Sequence, residues 1–359
     1  MTQKQKLKTI LNKEILNGEN CAKWMPRKGE VFNKVRKALK VTPKELRQLV
    51  VSLSNTVEQK MCSNRWTEIE YPKTPSLAMS RYTKAFGRKD GERFSQFIES
   101  LKKGEVKVNA GAVYPYDITK NLRFGGNQDL SNEQWKALPN WMEGSDELIL
   151  PMVDVSGSMD CPVGGNANLT CMEVAISLGM YISERNEGAF KDMFMTFSST
   201  PEIQKLLGPL SDRYRQLSRA DWGMSTDLEL AFKTILNQAV KFNIPQDEMP
   251  TTILIMSDMM FNQATCGGWR GESDWNPTAQ NMIKKLYTDK GYELPKIVYW
   301  NLNASGGNFP VTHNEDNVAL VSGFSPSIMK SLLSDLEQFT PYNIMSNTVN
   351  SERYQSVNV

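Results

Sequence analysis

Three separated segments of the chain place oxygen-bearing side chains directly after apolar or helix-like patterns. Asp154-Val-Ser156-Gly-Ser158-Met159 ends the run ELILPMV, Ser225-Thr226-Asp227 opens an amphipathic stretch, and Ser257-Asp258 ends TTILIM. From these segments three hydroxyls and two carboxylates can converge at one edge. A set with no thiol and no imidazole suits a hard divalent cation, Mg²⁺ or Mn²⁺, rather than zinc or copper. In a turn leaving a strand, alternate residues 154, 156 and 158 can face one pocket, and Gly157 lets the backbone approach closely. Mg²⁺ takes about six oxygens, so five protein donors leave a position for an oxygen of a partner. Singly, each of these residues is an ordinary strand-end cap or turn residue. The ordered set points to a metal.

Other chemistries lack their residues. Among 359 residues there is one histidine, His313, in a polar loop sequence. That argues against histidine-based triads and histidine zinc sites. A phosphatase of the Asp-x-Asp kind needs a second carboxylate where Ser156 stands, and no base sits in sequence near Ser158. The chain is therefore expected not to be an enzyme. Cys21, Cys62, Cys161, Cys171 and Cys266 form no CxxC pair, which reads as free, inert thiols in a reducing compartment. The opening MTQKQKLKTILNKEIL lacks an apolar signal core, and no apolar run reaches about 18 residues. These features predict a cytoplasmic protein with no membrane partner, and no small-molecule substrate is expected.

The elements that must position the oxygen set alternate strand and helix. Strands are expected at 147–155, 190–198, 251–258, 296–302 and, as an edge, 317–324. Helices are expected at 169–184, 226–242 and 277–289, with another after 324. This alternation implies an α/β domain with a doubly wound, mostly parallel sheet. Such sheets bind ligands at the carboxyl ends of their strands, where the three segments lie.

The first part of the chain reads differently. Apolar positions recur at helical spacing in 4–17, 29–41, 43–53, 76–87 and 92–104. Thr42-Pro43-Lys44-Glu45 is a capping box with proline at the first helical position. An all-α domain over 1–145 is thus expected before an α/β domain at 146–340, with a tail at 341–359. Antiparallel pairs or a short solenoid suit the helical part.

Charge divides the same way. Residues 1–124 hold 26 Lys and Arg against 12 Asp and Glu, whereas 125–359 hold 16 against 28. The overall +2 is a cancellation. A basic first part suits a polyanion such as RNA. Lys34, Arg36, Lys37 and Lys40, followed by Lys44 and Arg47, could track phosphates. Arg81, Lys84, Arg88, Lys89 and Arg93 form a second patch with Tyr82 and Phe86 interleaved. The competing reading is a solvated helix surface, with the two aromatics in a core stripe.

The motif Asp-x-Ser-Gly-Ser-Met, the helix-opening Ser-Thr-Asp-Leu and the strand-ending Ile-Met-Ser-Asp resemble the von Willebrand factor A fold over roughly 146–340. They match its metal-ion-dependent adhesion site. The resemblance assigns Ser156, Ser158 and Thr226 as hydroxyl ligands, and Asp154 and Asp258 as the aspartates, direct or through water. It implies a module that grips a protein partner, most simply through a carboxylate on the metal, with loops 161–168, 199–224 and 259–275 supplying specificity. A basic helical region before an A domain is also similar to Ro-type ring proteins that bind small non-coding RNAs, which makes a ribonucleoprotein component the alternative. Val108-Asn-Ala-Gly-Ala-Val-Tyr-Pro115, Gln134-Trp135 and Ser351-Glu-Arg-Tyr354 resemble an uncharacterised viral and eukaryotic family. That likeness admits a virus-encoded protein and a third role as a virion or assembly component.

Overall fold

The computed structural model describes residues 22, 25–123, 125–163, 166–197, 201–219, 228–258, 277–303 and 318–324, and the pairs 328–329, 332–333, 345–346 and 349–350. The expected helix at 4–17 lies outside the described residues, and so does His313. The chain forms two compact units, Met1–Asn109 and Ala110–Val359.

The first unit is helical: α1 Glu30–Leu39, α2 Pro43–Leu53, α3 Val57–Cys62, α4 Ser76–Lys89 and α5 Gly91–Lys102. Consecutive helices pack in pairs, α1 with α2 and α4 with α5. The Thr42 capping box forms as expected: the Glu45 N–H donates to Thr42 Oγ1 at 3.2 Å, and the Thr42 N–H donates to Glu45 Oε2 at 2.8 Å. Helix α4 runs past Gly87 to Lys89, because the Asp90 N–H still reaches the Phe86 carbonyl at 2.9 Å. Gly104, at φ +74°, follows α5, and the Glu105 N–H closes on the Ser100 carbonyl. That left-handed residue is what a helix C-terminus of this type requires.

The second unit opens with α6 Pro115–Arg123 and α7 Gln128–Lys136. Then come β1 Ile149–Asp154, a hairpin of β2 Pro162–Val163 and β3 Asn166–Thr170, α8 Cys171–Arg185, β4 Met193–Phe197, β5 Ile203–Lys205, α9 Leu210–Ser218, α10 Leu228–Phe242, β6 Thr252–Ser257, α11 Pro277–Asp289, β7 Lys296–Asn301 and β8 Val318–Ser322. The six-stranded sheet runs β5-β4-β1-β6-β7-β8. All its neighbours pair in parallel except β4 with β5. This is the doubly wound order, and the winding reverses between β1 and β6.

Both faces of the sheet are covered, which is why β1 and β6 read as continuous apolar runs. Alternate residues separate the two cores. Val153, Val155, Met256, Val298 and Trp300 pack with α8 and α9 on one side. Leu150, Met152, Ile253, Ile255 and Tyr299 pack with α10 and α11 on the other. Helix α8 lies close on β1: a Cβ placed on Gly179 would come within 2.7 Å of Val153 Cγ2.

The compact units divide at 109/110 because the segment before β1 packs onto α8. Ile118, Trp135, Leu138 and Met142 belong to the same core as Tyr181 and Val153. Polar contacts fix the register. The Tyr181 hydroxyl donates to the Pro139 carbonyl at 2.6 Å and accepts from the Trp141 N–H at 2.8 Å. Trp135 Nε1 donates to Glu184 at 2.8 Å. The Arg185 guanidinium lies 3.9 Å above the Tyr181 ring and 5.8 Å from that of Trp135. Burial lowers its pKa. Arg123 reaches Glu173, which closes the capping box of α8 with Thr170, at 2.9 Å. Tyr181→Phe removes the hydrogen bonds to the Trp141 N–H and the Pro139 carbonyl and is expected to cost about 1–3 kcal/mol. Urea denaturation checks this, and a loss below about 0.5 kcal/mol, the range of an ordinary surface change, would refute the clasp.

Candidate metal centre

The parallel register of β1 and β6 builds the centre. Val153 pairs with Met256, so the next residues along, Asp154 and Ser257, sit side by side, with Asp258 one step further. The Ser257 hydroxyl donates to Asp154 Oδ2 at 2.6 Å. The Ser156 N–H donates to Asp154 Oδ1 at 2.9 Å. Beyond it a short 3-10 turn, Gly157–Asp160, is pinned by fully buried Met159 and brings Ser158 round. The Ser156 and Ser158 hydroxyl oxygens lie 3.0 Å apart.

Asp154 and Asp258 are 5% and 3% exposed. The Asp154 carboxyl is held above the ordinary carboxylate range, first by burial and further by the charge of Asp258, against hydrogen bonds from Ser257 and Ser156. Two buried carboxylates side by side form a site short of positive charge. The donor set fits a hard cation: carboxylate and hydroxyl oxygens, with Ser156 half-buried and Ser158 exposed at the rim. Among the described residues no group of three or more His, Cys, Asp and Glu side chains clusters, so any cation held here would rely on the hydroxyls.

Four of the five expected ligands, Asp154, Ser156, Ser158 and Asp258, come together at the strand ends. Thr226 lies outside the described residues. Sequence reasoning missed Ser257 as the residue that orients Asp154. It also missed that Cys161 and Cys171 meet beside the centre, with sulfurs 3.4 Å apart. The signal for both was register: β6 against β1, and the hairpin β2 against β3. Burial pushes both thiols above their ordinary pKa.

The basic residues of the first unit divide. Lys34, Lys37, Lys40, Arg81, Lys84, Arg88 and Lys89 are exposed, and Arg36 is half-buried. Lys34 is paired with Glu30 at 2.7 Å. Arg81, Lys84 and Arg88, spaced by three and four, lie along one face of α4. Arg93 is structural instead: it donates to the Trp66 and Ile69 carbonyls and to Asp90, which also accepts from the Tyr71 hydroxyl. Phe86 is fully buried among Tyr71, Tyr82 and Phe94, which makes it core and not a stacking platform.

A helical unit, then a doubly wound, mostly parallel sheet with oxygen donors where the winding reverses, defines the class: a helical region followed by an α/β domain. Within that class, the chain belongs to the family described as a domain of unknown function, DUF7788, which matches residues 149–357. Residues 7–148 match a second domain of unknown function, DUF2828. An uncharacterised protein of Acanthamoeba polyphaga mimivirus is 27% identical over 354 residues, covering 90% of this chain and 59% of that protein. The crystal structure of the Deinococcus radiodurans Ro (RSR) protein aligns with 84% of this chain and 59% of its own, at 17% identity and a TM-score of 0.46. The chain thus spans about three fifths of each relative's length. No described helix is long and apolar enough to cross a membrane.

Proposed function

We propose that the second unit is a non-catalytic, divalent-cation-dependent binding module of the von Willebrand A type. The observation that supports it is the pair of buried carboxylates, Asp154 and Asp258, at adjacent strand ends, with the Ser156 and Ser158 hydroxyls at the rim. Asp154, Ser156, Ser158 and Asp258 would hold Mg²⁺ or Mn²⁺, joined by Thr226. The bound cation supplies a positive charge and an open position for an oxygen, most simply a carboxylate of a protein partner. Ser257 keeps Asp154 aimed, and the packing of α8 on β1 keeps the turn in place. The test is a Mg²⁺ titration followed by thermal melting, on wild type and Asp154→Asn. Equal shifts in the two proteins would overturn the reading.

A second reading concerns the first unit, where exposed Arg81, Lys84 and Arg88 on one face of α4 support binding of RNA. Log affinity for single-stranded RNA should then fall linearly with log salt. Changing all three residues to Ala should flatten the slope by roughly 0.7 for each phosphate that is no longer neutralised. Filter binding checks this; an unchanged slope removes α4 from the interface, and no binding at low salt ends the reading.

A further inference from the structure

The hairpin beside the candidate centre begins and ends on cysteines. Pro162 pairs with Thr170 across the antiparallel β2–β3 ladder, so the next pair outward is Cys161 with Cys171. The backbone agrees: the Cys171 N–H donates to the Cys161 carbonyl at 3.0 Å. Residues directly opposite in such a ladder have Cβ atoms about 4.5–5.5 Å apart, close to what a disulfide spans. The sulfurs already lie 3.4 Å apart and face each other. Bonding needs them to close to about 2.05 Å. Exposure is graded, Cys161 half-buried and Cys171 buried. One thiol can be reached from solvent, and the other only from its neighbour.

We propose that Cys161 and Cys171 are a reversible dithiol–disulfide pair, oxidised by a low-molecular-weight disulfide such as oxidised glutathione. Cys161 attacks first: its sulfur bonds to one glutathione sulfur, and the other glutathione leaves as a thiolate that takes up the Cys161 proton. Cys171 then attacks the Cys161 sulfur of the mixed disulfide and expels the second glutathione, which takes up the Cys171 proton. Two thiols are oxidised to one disulfide, and one glutathione disulfide is reduced to two thiols. The product staples the hairpin at its base, where the Gly157–Asp160 turn runs into it and α8 starts. The chemistry does not depend on any cation being bound.

The test uses the full chain with Cys21, Cys62 and Cys266 changed to Ser, incubated natively in glutathione buffers of increasing oxidation, then acid-quenched and peptide-mapped. The expected main product is a linked 161–171 peptide that dithiothreitol reverses. Cys171→Ser should accumulate a glutathione adduct on Cys161, whereas Cys161→Ser should leave Cys171 unmodified. If Cys171→Ser fails to fold, the parent protein and Cys161→Ser carry the test. Separate adducts on both cysteines, two thiols that stay reduced throughout, or a link that forms only in urea would each overturn the proposal.

Discussion

Saturating Mg²⁺ is expected to raise the melting temperature of the wild-type protein by several degrees and to leave Asp154→Asn where it was. At a concentration about one hundred times Kd, a ligand that binds only the folded state stabilises it by about 2.7 kcal/mol. For a unit of this size each kcal/mol moves the midpoint by roughly 2–4 °C, so a shift of about 5–10 °C is expected. Without cation the order of the two proteins should change. The Asp154 carboxyl sits above its ordinary range because burial and Asp258 disfavour its charge. A group whose folded-state pKa is raised binds its proton more tightly in the folded chain. The cation-free domain should therefore gain stability from this residue as pH falls from neutral through that raised pKa. The cation-dependent increment should shrink over the same window, because the proton and the cation compete for one carboxylate. Asp154→Asn should lose both dependences and, in EDTA near neutral pH, melt no lower than wild type. Calorimetry with and without EDTA at several pH values measures all of this, and a cation-dependent shift that grows on acidification would contradict it.

Gly179→Ala is expected to destabilise the second unit by about 1–3 kcal/mol, the usual cost of forcing a methyl group into a filled core. The added Cβ would meet Val153 Cγ2 at 2.7 Å, which no ordinary packing tolerates. Val153 is fully buried on β1, one residue before Asp154. Relief by shifting the strand would therefore move the candidate centre. Val153→Ala alone leaves a cavity and should also destabilise. The double variant should be more stable than the sum of the two single effects predicts, since each change removes the other's fault. Additive losses in a double-mutant cycle by urea denaturation would show that the close approach of α8 to β1 is not the cause.

Much of this architecture was legible because its signals are local. Buried parallel strands such as β1 and β6 announce themselves as short apolar runs, and Thr42 announces α2 through its own side-chain bonds. Asp154, Ser156 and Ser158 could be grouped because a strand-ending turn brings alternate residues together. What escaped was set by pairing. Ser257 orients Asp154 only because β6 stands beside β1 in one register. Cys161 meets Cys171 only because the segment between them doubles back. The antiparallel edge strand β5 is three residues long, too short to show a period. The packing of the segment before β1 onto α8 escaped for the same reason. Trp135 and Met142 precede the first strand in a helical-looking stretch, and nothing local shows that their apolar faces are completed by α8.

That arrangement has a consequence for how the protein is made. Helices α6 and α7 leave the ribosome before the helix that covers them: Lys136 is followed by 49 further residues before α8 ends at Arg185. At about 5–20 residues per second, Trp135 and its neighbours wait roughly 2–10 s for their partner. During that interval an apolar surface is displayed on a nascent chain, joined upstream to a basic helical unit already synthesised. Synthesis speed across residues 137–185, and any chaperone that binds there, would bear on the yield of native protein.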